Sequence, residues 1–384
     1  MKILLATAAD IAEARGDSVH IQKLFYYLQR WTEVSLLHRG QIRLVSGSIE
    51  PGTELITIRN LFKTGTYHAI FAIWTLVRGN HETVIYCRDW SVALVAGLLS
   101  FFRHFRVVYE ANSLVDVEAR MTPAKRLKGL LALLQLAAFA VADEIVAVTP
   151  RLASSIGAIS GARLLSITVV QNAGDSEFEP VPKGMARREL GLSGDSSIVG
   201  FVGSLAPWQG LRLLVKAFRV IAEQVPEAEL VIVGDGPELA PLQLEIRDLP
   251  YRSKVRFQGR VAHPVALKYI CSFDVAVVPY ESSLLFETVG RSPIKAYEYM
   301  ACGRPLVVGA FPGLAEEVTE ARCGIVVPPD DIGSLASAVV RLLRNPEQRT
   351  QMGEAGRSYV ATKKSWSEVA RRIFELCRSV APGG

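Results

Sequence analysis

The sequence predicts an α/β protein that consists of two parallel-sheet domains, and three observations support this. Short β-rich apolar runs alternate with helical patterns along the 384 residues, which is typical of parallel sheets with helices on both faces. The length suits two domains, and a hydrophobic content of 49% can fill two cores. A stretch with two prolines and a glycine, Phe178 to Gly184, separates two such series, which indicates an interdomain linker.

In the first half of the chain, β-branched and aliphatic runs predict seven strands, and the apolar periodicity between them predicts four helices. The strands are expected at Lys2–Thr7, Val34–His38, Leu55–Ile58, Thr83–Cys87, Arg106–Glu110, Glu144–Val148 and Ser166–Gln171. The helices are expected at Val19–Arg30, Tyr67–Val77, Ser91–Phe102 and Lys125–Ala140.

In the second half, the same signals predict a second series of alternating strands and helices. The strands are expected at Ser197–Val202, Glu229–Val233, Val255–Gln258, Val275–Pro279, Pro305–Val308 and Gly324–Val327. The helices are expected at Gly210–Gln224, Glu238–Arg247, Pro264–Cys271, Ile294–Ala301, Asp331–Arg344 and Pro346–Ala361. A last helix, near Ser365 to Val380, fits neither series.

Charge and cysteine content exclude several classes of protein. The net charge is only +5 and no block of like charge occurs, which argues against nucleic-acid binding but leaves a weak attraction to anionic membranes open. The cysteines, which are scattered and odd in number, favour a reducing compartment and argue against a structural zinc. They are Cys87, Cys271, Cys302, Cys323 and Cys377.

Two apolar stretches are too short for a targeting or membrane-spanning role. The run from Met1 to Ala6 is shorter than the apolar region of a signal peptide, so it is interpreted as a first strand. The run from Leu130 to Ala142 falls well below the roughly 20 residues that span a bilayer, so a buried helix is expected. We therefore expect a cytoplasmic protein, with the inner face of the membrane as the alternative location.

The most informative stretch runs from Ser292 to Val308. Pro293 suits the first turn of a helix and Gly303 suits its end. A helix N-terminus is a ready anion site, and Lys295 adds a positive charge in the first turn. Glu298, three residues later, shares a helix face with Lys295. Such an arrangement suits a ligand with both phosphates and hydroxyls, such as a nucleotide sugar.

This stretch resembles the donor-binding signature of the retaining GT-B-fold glycosyltransferases of family four, the glycosyl transferases group 1. The usual signature has two glutamates eight positions apart. Glu298 matches the second, which in the family holds the donor ribose hydroxyls, whereas Gly290 stands at the first. The chain is similar to a subgroup that reads Ser-Pro-x-Lys-x-x-Glu-Tyr-Met-Ala, and this similarity implies that Lys295 is a diphosphate ligand.

Other segments extend the resemblance to nearly the whole chain. In the loop Phe201 to Gly210, the family has an arginine and a lysine that clamp the diphosphate, but this chain has Ser204 and Gln209. Further matches occur at Arg15–His20, Ala142–Thr149, Val170–Asp175, Val231–Pro237 and Val255–Val261.

The resemblance implies two facing Rossmann-like domains. Residues 1–180 would form the acceptor side, with the C-terminal helix 365–384 packing back on it, and residues 185–362 would bind the donor.

The predicted donor-binding set gathers strand-end glycines, the clamp positions and the first turn of the signature helix. It contains Gly16, Gly203, Ser204, Gln209, Gly236, Gly259, Arg260, Val261, Ser292, Pro293, Ile294, Lys295 and Glu298. For several members a plain structural role is the alternative: glycines commonly end strands, Ser292 suits a helix cap, and Arg260 suits an exposed surface.

Polar residues that follow strands of the first half are the acceptor-side candidates. Arg88 and Asp89 follow one strand, and Glu110 and Asn112 follow the next. They could bind acceptor hydroxyls, or form local salt bridges and helix caps. No catalytic nucleophile is named, and the catalytic candidates are Lys295, Glu298 and Asn112.

A segment rich in aromatic and basic residues has two interpretations. Tyr67, Phe71, Trp74 and Arg78 lie at helical spacing on one face, with Phe62, Lys63 and His68 nearby. The face is either a core stripe or a shallow contact with a membrane or lipid acceptor. The segment Phe101 to Arg106 adds weight to the second interpretation.

The resemblance implies a transferase that moves a sugar from a nucleotide-diphosphate sugar to an acceptor hydroxyl, with retention at the anomeric carbon. It implies no required metal and no cofactor beyond the nucleotide-sugar co-substrate, in UDP or GDP form. The acceptor is a glycan, a glycolipid or a small molecule. Two alternatives stay open: a sugar-nucleotide epimerase, although the six histidines do not cluster, and an inactive nucleotide-sugar-binding partner subunit, which Gly290, Ser204 and Gln209 favour.

Overall fold

A computed structural model describes residues 1–10, 16–39, 55–58, 64–115, 128–160, 166–282 and 284–382. The chain forms two compact units. The first comprises Met1–Asn172, Glu287–Ser292 and Trp366–Gly384, and the second comprises Ala173–Phe286 and Pro293–Ser365. The chain thus changes unit after Asn172, and the stretch 178–184, which we expected to link two domains, lies within the second unit.

Thirteen strands are present in the described chain, and all pair in parallel. They are β1 (Lys2–Asp10), β2 (Glu33–Arg39), β3 (Leu55–Ile58), β4 (Thr83–Cys87), β5 (Arg106–Ala111), β6 (Glu144–Ala147), β7 (Ile167–Val169), β8 (Ser197–Val202), β9 (Ala228–Val233), β10 (Val255–Phe257), β11 (Val275–Val278), β12 (Leu306–Gly309) and β13 (Gly324–Val327).

The α-helices of the described chain alternate with these strands. They are α1 (Gly16–Leu28), α2 (Thr64–Arg78), α3 (Trp90–Arg103), α4 (Lys128–Val141), α5 (Pro150–Ser160), α6 (Lys183–Glu189), α7 (Leu211–Gln224), α8 (Leu239–Glu245), α9 (His263–Ser272), α10 (Leu284–Val289), α11 (Ile294–Ala301), α12 (Leu314–Ala321), α13 (Ile332–Arg344), α14 (Pro346–Lys363) and α15 (Trp366–Val380). None of the described helices is long and apolar enough to cross a bilayer.

The first unit contains a seven-stranded sheet in the order β3-β2-β1-β4-β5-β6-β7. Every residue of the central strand β4 is buried, as expected for a strand covered on both faces. Helix α3 packs closely on α4 at Gly97, where an added Cβ would lie 2.2 Å from Cγ2 of Val141. A side chain at that position would therefore force the two helices apart.

The last helix, α15, also belongs to the first unit, where it packs on α1. The ring of Trp366 meets the ring of His20 edge-on at 4.9 Å, and Trp31 stacks on Phe374 at 6.0 Å. Because Trp366 is almost fully buried, α15 contributes to the core of the first unit.

The second unit contains a six-stranded sheet in the order β10-β9-β8-β11-β12-β13. Its core lies where α7 and α13 cover the sheet. Phe201 on β8, Leu214 and Phe218 on α7, and Val339 on α13 are fully buried there. The parallel order places the carboxyl ends of all six strands at one edge, where loops can form a ligand site.

The α/β class and the two parallel sheets predicted from the sequence are confirmed. Predicted and observed elements differ mainly at their ends. Four observed helices were not predicted, namely α5, α6, α10 and α12, and α6 begins inside the expected linker. Phe62, Lys63 and Arg15 lie outside the described residues.

Candidate functional site

The predicted donor-site residues of the second unit centre on helix α11. Pro293 caps the helix with extended backbone, at φ −78° and ψ 119°, and Gly303 follows its end at φ +66°. A helix start of this kind has backbone N–H groups without intrahelical partners, which suit an anion. The first turn of α11 contains Ile294 and Lys295.

Ser292 does not cap α11, so that alternative for this residue is wrong. No side chain caps the helix. The buried hydroxyl of Ser292 instead accepts a hydrogen bond from the backbone N–H of Asn172 at 3.0 Å, and Nδ2 of Asn172 donates to the Ser292 carbonyl at 2.7 Å. Within the first unit, Ser292 therefore holds the strand-to-loop segment at Asn172.

Lys295 extends toward the glycine loop after β8. Its Nζ donates a hydrogen bond to Oε1 of Gln209 at 2.7 Å. The same ammonium lies 4.1 Å from the ring centroid of Phe201 and 5.7 Å from that of Tyr280, both within cation–π range. Three side chains thus fix the position of one positive charge.

Gly203 leaves room for this ammonium. Its φ of +149° is uncommon for residues with side chains, and an added Cβ would lie 2.6 Å from Nζ of Lys295. The next turn is equally close, because a Cβ on Gly234 would lie 1.8 Å from the Gly203 carbonyl and one on Gly236 would lie 2.6 Å from the Leu205 carbonyl. The backbone of Gly203 therefore approaches the ammonium, and the second turn packs directly against the backbone of the first.

Ser204 and Gln209 stand where the resembling family has its cationic clamp, and the structure joins them to Lys295. Nε2 of the buried Gln209 donates to Oγ of Ser204 at 3.3 Å, while its Oε1 accepts from Lys295. Lys295 on α11 thus places a positive charge beside this loop, which has none at Ser204 or Gln209. The contact between Gln209 and Lys295 was not predicted, because the two residues are 86 positions apart.

Glu298 lies one turn after Lys295 and pairs with a histidine that the sequence analysis missed. Nε2 of His263 and Oε1 of Glu298 are 2.6 Å apart, and the two side chains are only 14% and 13% exposed. His263 begins α9, directly after the turn that contains Gly259, the exposed Arg260 and the partly exposed Val261. This turn and Glu298 are therefore neighbours, a relationship that the family match at Val255–Val261 could have suggested.

Gly290 occupies the position of the family's first glutamate, and its backbone conformation there favours glycine. It is buried and has φ +69°, in the left-handed region. A glutamate would be strained in this conformation. Of the two glutamate positions in the signature, only that of Glu298 holds a glutamate in this chain.

In the first unit, three acceptor-side candidates form one cluster. Nε of Arg88 donates to Oε1 of Glu110 at 2.8 Å, and its NH2 donates to Oδ1 of Asn112 at 2.6 Å. The Tyr86 hydroxyl also donates to Glu110, and Nε2 of His20 lies 3.0 Å from Oε2 of Glu110. Asn112 is exposed, so it is the member of the cluster that solvent and ligands can reach.

Glu110 is the electrostatic centre of this cluster. Burial opposes its ionisation, but the positive charges of His20 and Arg88 and the hydrogen bond from Tyr86 outweigh that effect. The pKa of the Glu110 carboxyl therefore lies well below its usual range. At neutral pH the first unit thus holds a fixed negative charge beside the guanidinium of Arg88.

Asp89 and Gly16 have clear structural positions in the first unit. Oδ2 of Asp89 accepts hydrogen bonds from Oγ1 of Thr7 at 3.1 Å and from the Ala8 N–H at 2.9 Å, so it ties β1 to the start of α3. It does not cap α3 through its side chain. Gly16 is the first residue of α1.

The aromatic face of α2 that we considered for membrane contact points into the protein. Tyr67 and Phe71 are almost fully buried and Trp74 is partly buried, whereas Arg78 is exposed. The core interpretation therefore holds for the aromatic residues. Exposed apolar residues lie elsewhere on α2, at Ile73 and Val77 among others.

Known proteins resemble this chain in sequence over part of its length and in fold over all of it. Residues 183–359 match the model of the family described as glycosyl transferases group 1. Over 203 residues the chain is 30% identical to a GDP-mannose-dependent monoacylated alpha-(1-6)-phosphatidylinositol monomannoside mannosyltransferase of Corynebacterium glutamicum, with 52% of each chain covered. Over 313 residues it is 28% identical to D-inositol 3-phosphate glycosyltransferase 1 of Catenulispora acidiphila. This alignment covers 78% of this chain and 73% of the relative.

The alignment with the C. glutamicum protein spans about half the length of each chain. Solved structures match the whole chain, at lower identity. Sucrose-phosphate synthase from Thermosynechococcus elongatus superposes with a TM-score of 0.80 and 23% identity, covering 99% of both chains. WaaG, a glycosyltransferase involved in lipopolysaccharide biosynthesis, superposes with a TM-score of 0.71 and 16% identity, covering both chains completely.

The two kinds of comparison agree on the second unit, where the sequence match and the glycine turns around Lys295 coincide. The structural matches extend the agreement in fold to the first unit. Residues 183–359 are therefore similar to the glycosyl transferases group 1 family, in a chain that has the GT-B fold.

Proposed function

We propose that this protein is a glycosyltransferase that moves a sugar from a nucleotide-diphosphate sugar to an acceptor hydroxyl, with retention of the anomeric configuration. The observation that carries the proposal is the ammonium of Lys295, held on Gln209 beside the bare backbone of Gly203. It supplies positive charge where a diphosphate can approach the main chain, and Glu298 offers a carboxylate to ribose hydroxyls one turn further along α11.

The proposed reaction exchanges one bond at the anomeric carbon for another. The bond between the anomeric carbon and the diphosphate oxygen breaks, the acceptor oxygen forms the new bond to that carbon, and the acceptor proton passes to the leaving phosphate. Negative charge therefore grows on the diphosphate in the transition state. The N-terminus of α11 and Lys295 would stabilise it, since donors fixed before the reaction need no reorganisation.

The donor to test first is GDP-mannose, because it appears in the names of the C. glutamicum relative and of its Mycolicibacterium smegmatis counterpart. The alternative is a UDP sugar, as a solved neighbour from Anabaena contains UDP and glucose. On the acceptor side, the exposed Asn112, oriented by Arg88, is our candidate for binding an acceptor hydroxyl.

A release assay tests the proposal and its alternatives. The purified protein is incubated with GDP-mannose or UDP-glucose, with and without inositol, phosphatidylinositol and glycan acceptors, and free nucleoside diphosphate is measured. We expect release that an acceptor accelerates and that Lys295→Ala abolishes. Conversion of the sugar without release would support an epimerase instead. Tight binding without any turnover would support a non-catalytic partner subunit.

We also propose that the acceptor is a lipid and that the protein works at the cytoplasmic surface of a membrane as a peripheral protein. The supporting observation is the three-helix face, a set of exposed apolar side chains on the neighbouring helices α2, α3 and α4. The face consists of Ile70, Ile73, Leu76, Val77, Leu98, Phe101, Phe102, Leu130 and Leu133.

Charge favours a lipid surface as the occupant of the three-helix face. The sequences of α2, α3 and α4 contain no aspartate or glutamate, whereas Arg78 and Arg103 stand at helix ends beside the apolar side chains. Phe101 and Phe102, 69% and 76% exposed, are large enough to anchor in the headgroup region. Basic residues at the edge of an apolar face match an anionic leaflet.

A further inference from the structure

The second unit contains a cavity that the proposed glycosyl transfer does not use. Its volume is about 360 Å³, which falls in the range of small-molecule sites. The cavity is lined by the segment that follows α11, by the residue preceding β11, and by α14. Four cations, Lys183, Arg304, Arg349 and Arg357, line it against two carboxylates, Asp274 and Glu354.

Two of the arginines carry charge that no carboxylate of the described chain balances by an ion pair. Arg304 donates from Nε to the Cys302 carbonyl at 2.9 Å and from NH1 to the Phe273 carbonyl at 3.0 Å. NH1 of Arg349 donates to the carbonyls of Leu342, at 2.7 Å, and Leu343. Main-chain carbonyls fix both guanidinium groups but do not neutralise their charge. Within the described chain, each guanidinium retains N–H groups that can donate to a further acceptor.

The remaining charged groups of the cavity are already paired or exposed. Asp274 accepts from Lys183 at 2.7 Å and from the buried Arg187 at 2.6 Å, so its charge is more than balanced. Arg357 pairs at 2.9 Å with Glu179, which is 87% exposed. Burial lowers the pKa of the Arg304 guanidinium by more than nearby groups such as Asp274 raise it.

The cavity lies at the edge of the sheet opposite the glycine turns. Asp274 and Pro305 directly precede β11 and β12, whereas Gly203 and Gly234 directly follow β8 and β9. Because all these strands are parallel, the two sets of residues lie at opposite ends of the strands. A ligand in this cavity would therefore be separate from the proposed donor.

We propose that this cavity, which we call the arginine cavity, binds a small phosphorylated molecule of sugar size. Guanidinium groups bind phosphate oxygens through paired N–H donors, and Arg304 and Arg349 both retain such donors among the residues that the structure describes. The volume exceeds that of a phosphate ion and leaves room for a polar body. The segment from Cys302 to Arg304 directly follows α11, so the bound molecule would contact the end of the helix that begins beside Lys295.

Calorimetric titration of the full chain tests this proposal, with inorganic phosphate and glucose 6-phosphate as probes. Each titration is done with and without saturating nucleoside diphosphate, which fills the donor site. We expect both probes to bind in either condition, glucose 6-phosphate more tightly. Arg349→Gln should weaken their binding at least tenfold and leave nucleoside diphosphate affinity unchanged.

Two further variants separate ligand binding from stability. Arg357→Gln removes a cation at the cavity rim that pairs only with an exposed carboxylate, so it should weaken binding severalfold without loss of fold. Arg219→Gln, an exposed arginine on α7 paired with Glu223, is the matched control and should bind both probes normally. Absence of binding to the wild-type chain, unchanged binding by both cavity variants, or loss of all binding when nucleoside diphosphate is present would each overturn the proposal.

Discussion

The ammonium of Lys295 donates a hydrogen bond to the side-chain oxygen of Gln209 at 2.7 Å. Through this contact, the loop that lacks the arginine and lysine of related sequences still receives a positive charge. The charge comes from a helix and is held by a neutral side chain in the loop. It is the structural basis of our first prediction.

Replacing Lys295 by methionine should weaken nucleoside diphosphate affinity by about ten- to a hundredfold, since a hydrogen bond to a charged group contributes roughly 1.5–3 kcal/mol. Titration calorimetry with GDP and UDP measures the effect. Lys216→Met, an exposed lysine on α7, is the control and should bind like the wild type. Equal affinities of the Lys295 variant and the wild type would remove Lys295 from the donor site.

A single methyl group at Gly203 should displace the ammonium. In Gly203→Ala, the added Cβ would lie 2.6 Å from Nζ of Lys295 at a strained φ of +149°, so both donor affinity and melting temperature should fall. Gly157→Ala is the control, because nothing lies within 4 Å of its added Cβ within helix α5. It should leave stability unchanged or raise it by about 1 kcal/mol. A Gly203 variant with normal affinity would contradict the close approach.

Glu298 and His263 should contribute to the binding of the nucleoside part of the donor and not to the binding of its diphosphate. We expect Glu298→Ala to weaken nucleoside diphosphate binding about tenfold or more, as for a lost charged hydrogen bond, with pyrophosphate binding unchanged. His263→Ala should show the same selectivity to a smaller degree, since it acts by orienting Glu298, and His263→Gln should restore part of the affinity. Competition binding with GDP and pyrophosphate measures both. Glu223→Ala, an exposed glutamate, is the control; equal losses for both ligands would place Glu298 at the phosphates.

The free energy of unfolding should fall at acid pH because Glu110 becomes protonated. Its pKa in the folded state lies below the unfolded value of 4.5, so the unfolded chain binds more protons there. The stabilisation is complete above pH 4.5 and is lost as the pH falls below it. Glu110→Gln should cost about 3 kcal/mol at pH 7, as for a broken buried ion pair, and should flatten this acid dependence.

Urea unfolding between pH 3 and pH 7 measures the acid dependence. Glu33→Gln provides the matched control, since Glu33 pairs with Lys2 on the surface, with 57% and 51% exposure. Its effect should stay below about 1 kcal/mol. If the Glu110 variant kept the acid slope of the wild type, another group would be its source.

The three-helix face should bind anionic bilayers. Sedimentation with vesicles of phosphatidylcholine, with and without phosphatidylglycerol, should show binding that rises with anionic lipid. The double variant Phe101→Ser, Phe102→Ser should reduce it about tenfold or more, because each buried phenylalanine contributes roughly 1.5–3 kcal/mol. Leu244→Ser, an exposed leucine on α8, should bind normally. Two results would assign the face to another partner. One is vesicle binding that the double variant leaves unchanged, and the other is self-association of the wild type that the double variant abolishes.

Local signals in the sequence were sufficient for most of the fold. Helix α11 was predicted with its observed bounds because Pro293 and Gly303 mark its ends. Strands β4 and β8 were also predicted with their observed bounds, since continuous apolar runs identify buried strands. The missed helices α6 and α12 are short, and helices of that length depend on packing rather than on their own periodicity.

The site was predicted in part, and the missing part depends on contacts between distant residues. The motif identified Lys295 and Glu298, but the partners Gln209 and His263 lie 86 and 35 positions away. Ser292 suited a helix cap by position, yet Asn172, 120 residues earlier, occupies its hydroxyl. No local pattern encodes such pairings.

The membership of α15 in the first unit has a consequence for biosynthesis. The first unit contains residues from Met1 onward together with the helix that begins at Trp366, so it cannot finish folding until the ribosome has made that helix. The second unit contains no segment beyond Ser365 and can fold earlier. In this protein the half that is translated first therefore becomes native last. Ribosome-bound chains that stop before Trp366 should expose the incomplete core of the first unit to chaperones.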